Sequence, residues 1–198
     1  MGEYEPKTDE QKYYSIDSLV KMIDEPNQTS CRQFLDENKE LLRTARGSKA
    51  NHQYWEGGYT HHITEIMNIG VQLYPTLNRL RTLPFTLSDV LIGLFLHDIE
   101  KPWKYELREN CEVKIKPEMK DRNYIKQFGR EKIKEYGFKL TEDHFNAIDY
   151  AEGEIGVWTP GKRTMKPIAA FVHMCDVWSA RGWHDEPKER SEKTNCKW

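Results

Sequence analysis

Residues 94 to 101 read Leu-Phe-Leu-His-Asp-Ile-Glu-Lys, so a strongly apolar segment runs directly into an adjacent histidine and aspartate. The apolar residues predict a buried helix that delivers His97 and Asp98 straight out of the core. Burying an ionised carboxylate or an imidazole costs free energy unless a partner replaces the water that it loses. A divalent metal ion can serve as that partner for both groups at once. The pair therefore predicts a metal centre, provided that other helices supply further inward ligands.

Helical phase separates the two neighbouring histidines His61 and His62, which lie upstream of this pair. Steps of four, three and four residues from His62 reach only apolar residues, namely Ile66, Ile69 and Leu73. The same steps from His61 reach only polar ones, namely Glu65, Asn68 and Gln72. We expect His62 to face the core. A lone core histidine is usually satisfied by local hydrogen bonds, but the other inward ligands favour metal binding by His62.

A third helix supplies an inward aspartate. Asp176 shares a face with Val172 and Ala169, so it would be unpaired in the core unless it meets a cation or several donors. His173 lies three residues earlier on nearly the same face. Two interpretations of His173 stand equally: it orients a ligand, or it is an ordinary core histidine.

Length and composition limit the class of protein. The chain has 198 residues, which predicts a single domain with its core at about 46–178 and polar tails at 1–12 and 183–198. Its 32 acidic and 30 basic residues nearly cancel, which argues against binding to long nucleic acid through bulk charge. The four cysteines form no CxxC pair, and no apolar run approaches 18 residues. We expect a cytoplasmic protein with no membrane segment.

The predicted architecture is all-α with small insertions. Apolar periodicity predicts helices over 15–25, 30–45, 59–74, 87–99, 121–136, 141–151 and 167–178. The helix over 59–74 is expected to end at Pro75, and Thr86 with Asp89 forms a capping-box pattern ahead of the next helix. Alternating residues predict a short hairpin of 105–107 with 113–115, and polar loops are expected over 47–58 and 156–166.

Two stretches resemble a known family. Residues 96–101, Leu-His-Asp-Ile-Glu-Lys, resemble the Leu-His-Asp-Ile-Gly-Lys run of the HD superfamily of metal-dependent phosphohydrolases. Residues 51–62, Asn-His-Gln-Tyr-Trp-Glu-Gly-Gly-Tyr-Thr-His-His, resemble the family loop that ends in Gly-Gly-Leu-Leu-Glu-His. The resemblance spans about 46–178 and implies an HD-domain helical bundle. It assigns metal binding to the positions His62, His97, Asp98 and Asp176.

The sequence departs from the family pattern at two places. Glu100 replaces the usual glycine and adds a carboxylate beside the site, while Lys101 is retained. Family members with two metals often have a histidine pair in the helix before the last aspartate, where this chain has Glu152 instead. His144 lies earlier in that helix, and we expect it to be solvent-exposed rather than a ligand. A single metal is therefore predicted, and a second, weaker site through Glu152 stays open.

The ligand set indicates the chemistry. Two imidazoles and two carboxylates suit Mn, Co, Fe, Ni, Zn or Mg without selecting among them, and they leave positions open for a phosphate oxygen and a water. A divalent ion polarises a phosphoryl group and lowers the pKa of bound water. Cations must then stabilise the negative charge on phosphate. We expect Lys101 and Arg46 to do so as catalytic residues, and a loop cluster is an equal candidate for phosphate binding, comprising Lys162, Arg163 and Lys166.

Aromatic side chains near the ligands are candidates for substrate contact. Trp55 and Trp103 are predicted to lie in polar loops, where a base or sugar could stack on them. His52, in the same loop as Trp55, is predicted to touch phosphate or to lie on the surface.

The combined prediction is a metal-dependent phosphohydrolase that acts on a small phosphorylated compound, most simply a nucleotide or deoxynucleotide. The alternative within enzymes is a phosphodiesterase or 3′-to-5′ exonuclease acting on short nucleic acid or a cyclic nucleotide. A third hypothesis is a non-catalytic regulator that binds nucleotide. Assembly into a homo-oligomer stays open.

Overall fold

The computed structural model describes residues 13–48, 52–107, 113–157 and 159–182. It is mostly helical, with one small two-stranded antiparallel sheet. The α-helices are α1 (Ile16–Val20), α2 (Asn27–Glu37), α3 (Lys39–Thr44), α4 (Gly58–Leu80), α5 (Leu87–Leu96), α6 (Lys101–Lys104), α7 (Arg122–Glu135), α8 (Glu142–Asp149) and α9 (Pro167–Val177). A 3-10 turn over Glu118–Lys120 precedes α7, and a π-helical turn over Trp178–Gly182 follows α9.

Helix α5 is the centre of the core. Its residues from Val90 to Leu96 are all buried, and it packs against α4, α8 and α9. The predicted capping box fixes its first turn, because the Thr86 hydroxyl accepts from the Asp89 backbone N–H (3.1 Å) while the Asp89 carboxylate accepts from the Thr86 N–H (2.7 Å). A helix that is apolar on every side is expected to be covered on every side, and α5 is covered in this way.

The predicted hairpin is confirmed. Strand β1 (Tyr105–Leu107) pairs antiparallel with β2 (Val113–Ile115), with Tyr105 opposite Ile115 and Glu106 opposite Lys114. Within the polar loop predicted over 156–166, an isolated antiparallel bridge joins Thr159 to Lys162.

The prediction that Pro75 ends its helix is wrong. Helix α4 continues through the proline to Leu80. Proline has no N–H to donate to the carbonyl four residues earlier in the helix. Because Pro75 lies on the exposed side of α4, that carbonyl can bind water instead. Tyr74 and Leu77 pack against the core on the opposite side, and this packing favours continuation of the helix.

The single helix predicted over 30–45 is two helices, with α2 beginning earlier than expected. The break falls at Asn38, whose side-chain amide donates to the Phe34 carbonyl (2.8 Å) and to the Tyr136 hydroxyl (2.7 Å). Asparagine side chains compete in this way with backbone hydrogen bonds and favour helix ends. Helix α3 packs against α2 and α4.

The expectation that His144 is solvent-exposed is also wrong. It is buried at the start of α8, where its Nδ1 accepts from the Thr141 backbone N–H (3.1 Å) in a second capping box. Its Nε2 lies 3.0 Å from Asp89 Oδ1, so the same side chain joins the start of α8 to the start of α5. His144 therefore has a structural role in joining two helices.

Among the helices of the described ranges, none combines the length and apolarity needed to cross a bilayer.

Candidate metal centre

Three helix ends bring four predicted ligands together. His62 lies in the second turn of α4, His97 and Asp98 follow directly after the end of α5, and Asp176 lies in the last turn of α9. The His62 side chain is 1% exposed, as its helical phase predicts, and the side chains of His97 and Asp98 are almost as deeply buried. Asp176 is slightly more open, at 13% side-chain exposure, because it faces a pocket.

The distances within this cluster are short. The His62 Nε2 atom lies 3.1 Å from Asp176 Oδ1 and 3.8 Å from Asp98 Oδ2. The His97 Nε2 atom lies 3.0 Å from Asp98 Oδ2 and 3.6 Å from Asp176 Oδ1. Both imidazoles therefore direct the same ring nitrogen toward the same two carboxylates.

Hydrogen bonds on the far side of each ring fix which nitrogen is available. His97 Nδ1 lies 2.8 Å from the Leu94 carbonyl oxygen, which can only accept, so Nδ1 carries a proton. His62 Nδ1 lies 3.2 Å from Ser179 Oγ, and that hydroxyl already donates its proton to Glu65. His62 Nδ1 must therefore donate to Ser179. Metal-binding histidines are oriented by partners of this kind.

A polar network behind His62 supports this arrangement. Gln53 donates through Nε2 to Glu65 Oε2 (2.9 Å) and to Ser179 Oγ (3.2 Å). Ser179 is fully buried in the π-helical turn after α9, and Gln53 is buried in the loop before α4. The network joins three separate segments around one imidazole. Ser179 was missed at the sequence level, although it lies three residues after Asp176 and one further helical turn would have placed it on the ligand face.

Electrostatics favour ionised carboxylates at this centre. Burial would raise the pKa of Asp98, but His97 and Lys101 hold that pKa well below its usual range. Burial would likewise raise the pKa of Asp176, but hydrogen bonds and charge interactions with His62 and His97 lower it below its usual range. Burial lowers the pKa of His62, whereas Asp98 and Asp176 raise that of His97 well above its ordinary value despite burial. A proton and a metal ion compete for the same Nε2 atom.

Lys101 lies at the floor of the site. Its side chain is buried, and its ammonium pairs with Asp98 Oδ2. Burial would lower the pKa of Lys101, but the neighbouring carboxylates, Asp98 first, raise it above its usual range. Glu100 is buried beside it, and burial together with Asp98 raises the pKa of Glu100 to about 7.

The loop before α4 brings His52 against the cluster. The His52 and His62 ring centroids are 4.8 Å apart. Burial, followed by the nearby His62 and Lys101, lowers the pKa of His52 to about 3. The backbone here is tightly folded, since a Cβ on Gly58 would lie only 1.8 Å from the Gln53 carbonyl oxygen. Glycine at position 58 is therefore a steric requirement of this loop.

A pocket of about 400 Å³ opens over the cluster. Its lining contains residues that the sequence singled out, namely His52, Asp98, Lys101, Glu152 and Asp176. It also contains residues that the sequence-level reasoning missed, namely Ser48, Ile155, Val177, Ala180 and Arg181. Arg181 adds a second cation to the lining, and Ile155, Val177 and Ala180 are its apolar members.

Other predicted site residues lie elsewhere in the described part of the chain. Arg46 is buried, donates through Nη1 to the Tyr54 carbonyl (3.2 Å) and is not part of the described pocket lining. Trp55 is buried against His61, with ring centroids 5.4 Å apart. These contacts make Arg46 and Trp55 parts of the loop's own packing.

Trp103 does not lie in a polar loop, as was expected, but on α6. Its ring packs edge-on against Phe34 and Phe128, and the Lys132 ammonium lies 4.6 Å from its centroid. Trp103 thus packs against the core, and it is not among the described residues that line the pocket. Lys162 and Arg163 are exposed in the turn before α9, and Lys166 pairs with Asp143 at 2.6 Å.

His173 anchors the loop that carries Glu152 and Ile155. Its Nδ1 donates to the Ala151 carbonyl (2.6 Å), and Gly153 packs directly over its ring. This hydrogen bond goes to a backbone carbonyl rather than to a predicted metal ligand, which agrees with the interpretation of His173 as an ordinary histidine satisfied by a local hydrogen bond. Glu152 lines the pocket but belongs to neither close group of ligand atoms found among the described residues.

In comparisons with protein-family models, with curated proteins and with solved structures, nothing matches this chain. Inferences about function therefore depend on the chemistry of the site itself. His and Asp side chains are positioned there to hold a metal ion. The residues fit such an ion, because the Nε2 atoms of His62 and His97 are buried and each lies within 4 Å of both carboxylates.

Proposed function

We propose that the protein is a metal-dependent phosphohydrolase of the HD superfamily, acting on a small phosphorylated compound such as a nucleotide or deoxynucleotide. The observation that carries the proposal is the convergence of His62, His97, Asp98 and Asp176, whose donor atoms face one another across less than 4 Å in the pairs measured. This is the order and the residue chemistry of the HD pattern. Nitrogen and carboxylate donors together suit a divalent first-row transition metal.

Two cations in the pocket lining support an anionic substrate. Lys101 and Arg181 lie there beside the carboxylates of Asp98, Asp176 and Glu152, and the first two of these carboxylates are the proposed metal ligands. When bound, a divalent ion supplies Lewis-acid polarisation of a phosphoryl oxygen and activation of water. The contribution of Lys101 and Arg181 is to stabilise the negative charge that develops on phosphate.

The size and wall of the pocket support a compact organic substrate. A volume of about 400 Å³ lies in the range of small-molecule sites. The apolar wall formed by Ile155, Val177 and Ala180 offers a surface for a base or a sugar face. A near-neutral overall charge supports a free nucleotide over long nucleic acid.

The proposal includes a reducing, cytoplasmic setting. Cys31 and Cys175 are buried free thiols, and burial raises the pKa of Cys175 to about 12, which keeps it unreactive. Thiols of this kind are typical of reducing compartments.

The test is a substrate screen with purified protein. Mono-, di- and triphosphate nucleotides, cyclic nucleotides, bis(p-nitrophenyl) phosphate and short oligonucleotides are each incubated with Mn²⁺, Co²⁺, Ni²⁺, Zn²⁺ or Mg²⁺, with Asp98→Ala as the inactive control. Release of phosphate or pyrophosphate from a nucleotide in the wild type alone is expected. Cleavage confined to diesters would replace the proposal by the phosphodiesterase or exonuclease alternative. Nucleotide binding without hydrolysis in the presence of any of these metals would replace the proposal by the hypothesis of a non-catalytic, nucleotide-binding regulator.

A further inference from the structure

His52 completes a second group of close ligand atoms at the same centre. The first group takes one ligand atom from each of His62, His97 and Asp98, and these three atoms lie within 4.8 Å of one another. The second group takes one ligand atom from each of His52, His62 and Asp176, again within 4.8 Å. His62 belongs to both groups. The sequence-level expectation for His52 was phosphate contact or a surface position, so the grouping with Asp176 is a finding of the tertiary structure.

Both groups depend on His62. This residue uses Nδ1 for its hydrogen bond to Ser179, which leaves Nε2 as its only nitrogen for a metal ion. An imidazole nitrogen has a single lone pair and binds one metal ion. An ion bound at this nitrogen therefore has His52 and Asp176 from one group and His97 and Asp98 from the other as candidate ligands.

The His52 ring is held in place with its nitrogen unused. Its Nε2 atom is buried and makes no hydrogen bond within the described structure. The backbone on either side is fixed, because the Ser48 N–H donates to the His52 carbonyl (3.1 Å) and the Gly47 N–H donates to the Gln53 carbonyl (2.9 Å). A buried polar atom without a partner is costly, and a metal ligand role accounts for it.

We propose that His52 is a fifth protein ligand, so that the centre presents three imidazole nitrogens and two carboxylates to a single ion. This inference rests on the proposed metal-dependent function and narrows it. Three nitrogen donors favour Mn²⁺, Fe²⁺, Co²⁺, Ni²⁺ or Zn²⁺ over Mg²⁺, which prefers oxygen ligands and retains its waters.

Metal titration of the full-length protein tests this directly. Binding of Co²⁺, Zn²⁺ and Mg²⁺ is measured by calorimetry for the wild type, His52→Ala, His52→Asn and the neighbouring control His61→Ala, with thermal melting to confirm folding. Both His52 variants should weaken Co²⁺ and Zn²⁺ binding by about a hundredfold, because even partners outside the ligand shell cost about 10- to 100-fold. His61→Ala should bind as the wild type does, and Mg²⁺ should bind weakly to all four proteins.

The visible spectrum of bound Co²⁺ supplies a second readout that a structural role would not change. Loss of one nitrogen donor at saturating Co²⁺ should alter the position and intensity of the d–d bands in His52→Ala but not in His61→Ala. Unchanged affinity and spectrum in folded His52 variants would overturn the fifth ligand and leave the proposed function standing. Failure of the wild type to bind any of the three metals would instead overturn the proposed function.

Discussion

The Ser179 hydroxyl lies 3.2 Å from Nδ1 of His62, although 117 residues separate the two along the chain. The hydroxyl donates its own proton to Glu65, so it accepts a hydrogen bond from His62 Nδ1. This bond orients the ring with Nε2 toward Asp98 and Asp176. A side chain in the turn after α9 thereby sets the tautomer of a histidine in α4.

Ser179→Ala should therefore weaken metal binding without removing a ligand. We expect the dissociation constant for Co²⁺ or Zn²⁺ to rise about 10- to 100-fold, as is typical when a partner that orients a ligand is lost. Calorimetry measures the affinity. The control is Ser30→Ala, which removes another buried serine hydroxyl, from α2, and should leave affinity unchanged. Equal affinities in both variants would exclude the orienting role.

Asp98→Ala should lose most of the bound metal. Asp98 faces both histidines and is ionised, so its removal deletes one of the two carboxylates that neutralise the ion. Metal content after dialysis is the measurement, with the exposed Asp36→Ala as the control. A full complement of metal together with full activity in Asp98→Ala would rule out this assignment.

His62→Ala and His61→Ala should differ sharply. His62 is fully buried in the cluster, and its loss should abolish metal-dependent activity and lower the free energy of unfolding by about 1–3 kcal/mol through loss of its buried hydrogen bond to Ser179. His61 lies on the other face of α4, and its replacement should be mild. Activity assays and denaturant titrations of both variants compare them, and equal losses of activity would mean that the two side chains share a role.

Lys101→Met should lower kcat, whereas Arg46→Met should not. Lys101 lines the pocket, so its loss should lower kcat by roughly a hundredfold while metal is retained, comparable to deleting one oxyanion donor. Arg46 is buried against Tyr54, so its loss should lower the free energy of unfolding by about 1 kcal/mol. Steady-state kinetics, metal content and denaturant titration distinguish them. Wild-type constants in both variants would leave Arg181 or the cluster Lys162, Arg163 and Lys166 as the phosphate-binding group.

Asp89→Ala should destabilise the fold in a pH-dependent manner. Burial would raise the pKa of Asp89, but bonds from Thr86 and the nearby His144 lower it below its ordinary value. A carboxylate with a depressed pKa in the folded state stabilises above its unfolded pKa of about 3.9 and loses that effect as pH falls through the folded value. Wild type should exceed the variant by about 1 kcal/mol at neutral pH. The difference should shrink below about pH 4, as measured by urea unfolding. A constant difference from pH 7 to pH 2 would contradict the assignment.

The sequence by itself determined the local elements and the inward faces. The capping box at Thr86 and Asp89, the hairpin of β1 with β2 and the inward direction of His62 all follow from residue spacing, because backbone geometry fixes the 3.6-residue and 2-residue periods. Because residue spacing reports only on local structure, it also led to the wrong prediction at Pro75, where packing of α4 against the core outweighs a local helix breaker.

Only the tertiary structure decided which further side chains lie beside the four ligands that the sequence had assigned to the centre. The grouping of His52 with Asp176, the bond from His62 to Ser179 and the packing of Trp103 against Phe34 join segments far apart in the chain. Residue spacing gives the direction of a side chain from its own helix or loop, but not the path by which the chain returns to another. That path depends on how the apolar faces of α4, α5 and α9 pack together, and this packing sets the distances between their ligands.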